Sequence, residues 1–100
     1  MNQPRQLDSA LYALIHNEDI AAFNREKPKD ALIDFREGDF RGLDLRNLDA
    51  AGIDFTGAYF RAADLRGLDL RDIPLEGASL PHPQIPGTSF PPDLTAAGIL

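Results

Sequence analysis

The sequence has no cysteine, which excludes a disulfide framework, a thiolate metal site and a cysteine nucleophile. It also lacks long hydrophobic runs. The apolar residues near the N-terminus are interrupted by Asp8, Asn17, Glu18 and Asp19, so we expect neither a signal peptide nor a membrane span. Positive charge is scarce, with 10 Lys and Arg against 16 Asp and Glu, and this imbalance disfavours direct binding of nucleic acid. The 100 residues suffice for one domain, and the lack of Cys fits a reducing compartment, so we expect a cytoplasmic protein.

The chain has few of the groups that usually carry catalysis. His16 and His82 are its only histidines, and nothing in their positions suggests a shared metal site. None of the three serines lies in a G-x-S-x-G context, and no Walker or dinucleotide-binding motif occurs. Carboxylates are numerous, but they recur at a regular spacing that is typical of an outer wall rather than of paired acids in a cleft. We therefore expect no enzyme, no metal centre and no cofactor.

From Ile33 onward the sequence has a period of five residues, in units that read IDFRE, GDFRG, LDLRN, LDAAG, IDFTG, AYFRA, ADLRG and LDLRD. The third position is large and apolar in eleven of twelve units, and Ala50 is the exception. In chain order its residues are Phe35, Phe40, Leu45, Ala50, Phe55, Phe60, Leu65, Leu70, Leu75, Leu80, Ile85 and Phe90. In the first eight units the second position is Asp seven times and the fourth is Arg six times, and Gly fills the fifth position six times over the repeat. Neither an α-helix nor a regular strand has this period, so either would scatter the apolar positions over several faces. The pattern predicts short extended pieces with the first and third positions inward, each followed by a corner at the fifth.

The units GDFRG, IDFTG and ADLRG resemble the pentapeptide-repeat family, whose consensus is a small residue, Asp or Asn, Leu or Phe, a polar residue and often Gly. The resemblance covers residues 33–80 strongly and 81–92 weakly. It implies an all-β solenoid, namely a right-handed quadrilateral β-helix of about three coils with four units per coil, so that residues 20 apart stack. Ile33, Ile53 and Ile73 would then form one inner ladder. The chain departs from the family in using Leu or Ile at the first position, where Ala is usual.

Residues 1–32 are predicted to form an N-terminal α-helical cap. An amphipathic helix over 5–16 is indicated by the spacing of Leu7, Leu11, Leu14 and Ile15. Asn17 is expected to be the N-cap of a second short helix, which must end near Pro28. A solenoid has to cover its terminal apolar layers, so a lid on the first coil is favoured over a partner-binding helix.

The C-terminal part of the chain is rich in proline. The repeat domain spans residues 33–92, with degenerate units at 81–92, where Pro cannot donate ladder hydrogen bonds. Residues 93–100 are predicted to form a tail or a short helix. Members of the family often dimerise end to end through this segment, so the resemblance makes Leu94, Ile99 and Leu100 candidate dimer contacts. A folded-back cap is the alternative.

The outward second positions of the repeat form a candidate acidic interaction face. Its members are Asp34, Asp39, Asp44, Asp49, Asp54, Asp64 and Asp69. Arg residues two positions further along dilute this charge, so the Asp rows serve either solubility or the recognition of a basic partner. Tyr59 breaks the Asp rule and is a candidate interface hot spot, although it could equally only pack against the neighbouring coil.

The resemblance implies a non-enzymatic protein-interaction module. Some members of the family imitate B-form DNA and bind type II topoisomerases such as gyrase, so the leading specific hypothesis is an acidic DNA mimic that modulates a DNA-handling enzyme. The alternative is a generic scaffold or adaptor that binds a protein partner through the helical cap, Tyr59 or the C-terminal tail. An inhibitor of a nucleic-acid-binding host-defence complex is a lower alternative. In each case the expected partner is a protein, without direct contact to nucleic acid or membrane, and a homodimer through the C-terminal segment is one option.

Overall fold

Two short helices precede a wall of very short strands. The computed structural model describes residues 3–5, 7, 9–80 and 87–91. Helix α1 spans Ala10–His16 and helix α2 spans Ile20–Glu26, and they are followed by strands β1 (Ile33–Asp34) and β2 (Ile53–Asp54). The two strands pair in parallel, and neither helix is long and apolar enough to cross a membrane. The predicted contacts Leu94, Ile99 and Leu100 lie outside the described residues, as do residues 81–86 of the Pro-rich units.

Backbone pairing in the repeat joins residues that are 20 positions apart. In the paired strands Ile33 faces Ile53, and isolated parallel bridges join Asp39 to Tyr59 and Tyr59 to Ser79. The ladder hydrogen bonds alternate in direction, as in any parallel pair: Phe40 N donates to the Tyr59 carbonyl at 2.8 Å, and Tyr59 N donates to the Gly38 carbonyl at 2.9 Å. The predicted register of 20 residues is confirmed.

Each unit ends in a tight turn that bends the wall. The carbonyl of the third position accepts a hydrogen bond from the N–H of the next first position, as between Leu65 and Leu68 at 3.2 Å. The fifth position has a positive φ at every corner of residues 33–80 except Asp72, and this φ is 77° at Gly67. This geometry is that of a type II turn, in which Gly is favoured because it has no Cβ to clash. A positive φ also occurs at three fifth positions whose residues have a Cβ, namely 62° at Ala62, 60° at Glu37 and 70° at Asn47.

The core lies inside the wall and is built from the first and third positions of the units. Phe40 and Phe60 stack with ring centroids 5.5 Å apart and an interplanar angle of 19°, and Phe55 meets Phe60 edge to face at 5.1 Å. Burial of each such side chain contributes about 1.5–3 kcal/mol. The prediction that these positions face inward is confirmed over residues 33–80, where the third-position side chains are all buried.

The helices of the cap begin later than the sequence predicts. Helix α1 starts at Ala10 rather than residue 5, because the Ser9 hydroxyl accepts the Tyr12 N–H and so supplies the N-cap. Asn17 was expected to begin the second helix, but it ends the first. Its N–H donates to the Ala13 carbonyl, and the N-cap of α2 is Asp19, whose carboxylate accepts the Ala22 N–H at 3.2 Å.

The cap covers the first coil with apolar side chains and with polar partners for its edge. Ile15 and Phe23 are fully buried against the core. Glu18 accepts the Asp44 N–H at 2.7 Å, and the Asn24 amide accepts the Asp49 N–H at 2.8 Å. Backbone groups that would continue the ladder upward are therefore satisfied by side chains, which blunts this edge against strand addition.

Candidate interaction surface

The Asp and Arg of one repeat unit bind each other. In the unit that starts at Leu43, Arg46 Nε donates to Asp44 Oδ1 at 2.9 Å and Arg46 Nη2 donates to Asp44 Oδ2 at 2.7 Å. Asp44 Oδ1 also accepts the Arg46 backbone N–H at 3.1 Å, which closes an Asx-type turn. Arg is suited to this role because its planar fork matches a carboxylate with two parallel hydrogen bonds. The same geometry recurs at Asp34–Arg36, Asp39–Arg41, Asp64–Arg66 and Asp69–Arg71.

These pairs hold the carboxylates in their charged form. The hydrogen bonds from Arg36 lower the pKa of Asp34 to about 2, and those from Arg71 do the same for Asp69. Asp44 has a pKa of about 2 for the same reason, through Arg46. At neutral pH each of these acids is therefore ionised, but it carries its own countercharge within hydrogen-bond distance.

The other two acids of the candidate face have different partners. Asp49 Oδ1 lies 3.2 Å from Lys27 Nζ of the cap, and this lysine, which is almost fully buried, also donates to the Ala51 carbonyl. Asp54 accepts a hydrogen bond from the Thr56 hydroxyl at 2.6 Å and from the Thr56 N–H at 3.0 Å. Of the seven predicted acids, Asp54 alone forms no salt bridge among the described residues.

The register of 20 distributes the repeat units over four columns of the wall. The first column contains 33–37, 53–57 and 73–77, the second 38–42, 58–62 and 78–80, the third 43–47 and 63–67, and the fourth 48–52, 68–72 and 88–91. The seven predicted acids lie on all four columns rather than on one. The first column contains four acids and one Arg, the fourth contains three acids and one Arg, and the third contains two acids and two Arg. The second column differs, because it has one Asp and two Arg.

Tyr59 lies in a groove on the second column. The groove has a volume of about 530 Å³ and runs between the wall and the N-terminal segment. Its lining includes Arg5, Leu7, Tyr12, Asp39, Arg41 and Tyr59. Tyr59 is partly exposed, and its backbone is held by bridges to the coils on both sides. Its place in a concave, partly aromatic surface is what an interface anchor requires.

A second tyrosine forms the opposite part of the groove and is fixed in place. The Tyr12 hydroxyl donates to the Asp39 carbonyl at 2.9 Å, and His16 Nε2 lies 2.7 Å from the same hydroxyl. Partial burial raises the pKa of Tyr12 above its usual value, and the nearby Asp39 charge acts in the same direction. The Tyr12 ring also meets Phe40 of the core edge to face at 5.6 Å. The groove therefore has a rigid aromatic side chain from the cap.

Arg61 is the arginine of the unit that Tyr59 interrupts. Because residue 59 is not Asp, Arg61 has no carboxylate in its own unit, and it forms no salt bridge to any described residue. The Arg61 side chain is exposed. The Arg61 carbonyl accepts the Gly42 N–H, so Arg61 lies one coil below the turn that contains Arg41. Sequence analysis singled out Tyr59 but missed Arg61, although the missing Asp at residue 59 is the signal that identifies it.

The fold and this surface define a parallel solenoid whose outer side chains are paired unit by unit. Comparison with protein families gives a match to Pentapeptide repeats, with eight copies over residues 39–77. Residues 39–77 are therefore pentapeptide repeats, and a β-helix solenoid is the architecture that such repeats form. Neither curated proteins nor solved structures give a match. Family membership indicates a protein-interaction module, and the described residues include no cluster of three or more His, Asp or Glu side chains that could hold a metal ion.

Proposed function

We propose that this protein is a non-enzymatic adaptor that binds a protein partner through the second column and the cap beside it. The observation that carries this proposal is the pairing of Asp and Arg within the units. Five of the seven acids of the candidate face are bound to an Arg of their own unit, so the wall does not offer a run of unpaired negative charge. Short-range neutralisation of this kind weakens the field that a basic partner would sense, above all at physiological ionic strength.

Acidic DNA mimicry is the second candidate, and the first column supports it. There Glu37, Asp54 and Glu76 form no salt bridge among the described residues. DNA carries one charge per about 1.7 Å of helix axis, counting both strands, whereas stacked coils place a second-position residue only every ~4.8 Å. The charge density of this column is thus well below that of DNA. A topoisomerase or a host-defence complex would be the type of partner that fits this candidate.

Salt, duplex DNA and charge removal separate the two functions. The test captures partners from a bacterial lysate on immobilised protein, and it elutes them with duplex DNA or with increasing salt. The variant for comparison is Glu37→Gln, Asp54→Asn and Glu76→Gln combined, which removes the three first-column acids that form no described salt bridge. Asn at residue 54 keeps the side-chain oxygen that accepts the Thr56 N–H, so charge is removed while the turn can be retained.

An adaptor should hold its partner in the presence of duplex DNA, and the variant without the first-column charges should retain it. A mimic should release its partner to DNA, lose it steeply with salt, and lose it in that variant. Recovery of a topoisomerase that DNA displaces would overturn the adaptor proposal. Circular dichroism of the variant, recorded in parallel, establishes that a loss of binding is not a loss of fold.

For the finer architecture we propose a right-handed quadrilateral β-helix of about three coils. The support is the 20-residue register combined with a five-residue unit, which requires four turns per coil. We also propose a cytoplasmic location, since a chain without Cys has no need of an oxidising compartment.

A further inference from the structure

The second column has the chemistry of a docking site for an acidic segment of another protein. We propose that it binds an extended peptide segment of the partner, with a partner carboxylate on Arg61 and an apolar partner side chain against Tyr59. This inference rests on the adaptor function and specifies its partner. In each regular Asp–Arg unit the guanidinium of the fourth position binds a carboxylate with two hydrogen bonds. In the unit 58–62 the guanidinium of Arg61 occupies the same fourth position of the turn, but Tyr59 stands where the Asp–Arg units have their carboxylate.

Charge complementarity selects an acidic segment. The chain as a whole has a net charge of −6, yet the second column has two Arg and one Asp, and Arg41 already neutralises that Asp. Arg61 is therefore the exposed cation of this column that has no described partner. A carboxylate from a partner can bind it in the bidentate geometry that Arg favours. Nucleic acid is disfavoured because the acids of the neighbouring columns would repel its phosphates.

The groove that Tyr59 lines, two residues before Arg61 in the chain, selects a segment with an apolar residue next to its acid. Tyr59 and Tyr12 supply aromatic surface, and Leu7 adds an aliphatic side chain between the wall and the N-terminal segment. The Tyr12 ring is held by its hydrogen bond to the Asp39 carbonyl, and the backbone of Tyr59 is held by the ladder of its coil. Because the Tyr12 ring is fixed before binding, little conformational entropy of that side chain is lost when a peptide packs against it.

The sharpest variant restores the repeat rule. Tyr59→Asp supplies Arg61 with the carboxylate that the Asp–Arg units have. That carboxylate should bind the Arg61 guanidinium and so block it, and the same substitution removes the aromatic side chain. Asp is compatible with this position, because a stacked pair of acids already exists at Asp44 and Asp64, where Arg46 bridges to both. Arg61→Gln removes the cation alone. Arg66→Gln is the matched control, since it removes an exposed fourth-position Arg from the third column.

The probe is a pool of fluorescein-labelled decapeptides with one fixed Glu and with Leu, Val, Phe or Tyr at its two neighbours, and Gly and Ser elsewhere. Fluorescence anisotropy measures binding to the full chain. We expect Tyr59→Asp and Arg61→Gln each to weaken binding about tenfold, as at an interface hot spot, with Arg66→Gln within about twofold of the wild type. Replacement of the fixed Glu by Gln should weaken binding to the wild type to a similar degree.

The docking proposal would be overturned if the wild type and Tyr59→Asp bind the pool equally, or if neither binds it. It would also be overturned if the protein binds duplex DNA more tightly than the pool. The lysate capture distinguishes this failure from failure of the adaptor function. A partner that resists DNA and remains bound to Tyr59→Asp would leave the adaptor function standing and move its site away from the second column. Release of the partner by DNA would reject the adaptor itself.

Discussion

Leu7 fills the space that a side chain at Gly38 would occupy. A Cβ built on Gly38 would lie 2.6 Å from Leu7 Cδ1 and 2.8 Å from the Phe40 ring, both well inside ordinary contact. Gly38 holds the first position of its unit, where every other unit over residues 33–80 has an apolar side chain. The cap therefore contributes to the wall as well as covering it. The N-terminal segment is attached at the same level, because Arg5 N donates to the Glu37 carbonyl at 2.7 Å.

Substitution of Gly38 by Ala should destabilise the fold. The added methyl group clashes with Leu7, with Phe40 and with the Phe35 carbonyl, which is 3.1 Å from the ideal Cβ. Overpacking of this kind costs about 1–3 kcal/mol in the free energy of unfolding. Urea denaturation followed by circular dichroism measures this cost in the wild type and in a Leu7→Ala background. The cost should be smaller in the second background, and an equal cost would show that Leu7 does not occupy this space.

Ala62→Gly should stabilise the protein. Ala62 has a φ of 62° at the corner of its unit, a conformation that costs a residue with a Cβ about 1–2 kcal/mol. Gly removes this strain but loses more entropy on folding, so we expect a net gain of about 0.5–1 kcal/mol.

Gly67→Ala is the matched reverse substitution for Ala62→Gly. The φ of Gly67 is 77°, and no atom of the described residues, its chain neighbours aside, lies within 4 Å of its ideal Cβ, so backbone strain is the effect that acts there. We expect Gly67→Ala to lower the unfolding free energy by about 1 kcal/mol in the same denaturation assay. A neutral result would show that φ does not limit the residue type at these corners.

The period of five predicts most of the wall, because inward positions and corners are local properties of each unit. The boundaries of the cap were not predictable in the same way. Ser9 and Asp19 compete with neighbouring polar residues for the N-cap positions, and small local energies decide between them. Leu7 has helical spacing to Leu11, yet it packs beside Gly38, a position that only the tertiary fold brings near. The Asp–Arg pairs follow from sequence spacing, but their bidentate geometry depends on the turn that places both side chains on one side.

Lys27→Met should destabilise the attachment of the cap. Lys27 Nζ donates to the Ala51 carbonyl and pairs with Asp49, and only 6% of its side chain is exposed. Met keeps the length of the side chain but leaves that carbonyl without its partner. We expect the free energy of unfolding to fall by about 1.5–3 kcal/mol, the typical contribution of a hydrogen bond made by a charged group. The larger cost of a stranded buried charge does not apply, because Asp49 is half exposed.

Lys29→Met is the control for Lys27→Met, since Lys29 is exposed and forms no salt bridge among the described residues. Thermal unfolding of both variants at one protein concentration measures the difference. An equal effect of the two substitutions would show that charge removal, rather than the buried contact, accounts for the loss.

The Asp–Arg pairs predict a loss of stability in acid. The pKa values of Asp34, Asp44 and Asp69 are about 2 in the folded protein and ordinarily 3.8, so the unfolded chain takes up protons first as the pH falls. Their contribution is complete above pH ~4 and is lost between pH ~4 and ~2, because stability rises with pH wherever the unfolded state binds more protons. Urea midpoints measured across this window should fall steadily. Asp69→Asn should show a shallower fall, whereas Asp30→Asn, at an exposed position without a salt bridge in the described part of the chain, should follow the wild type. Parallel curves for Asp69→Asn and the wild type would mean that this ion pair does not contribute to the acid response.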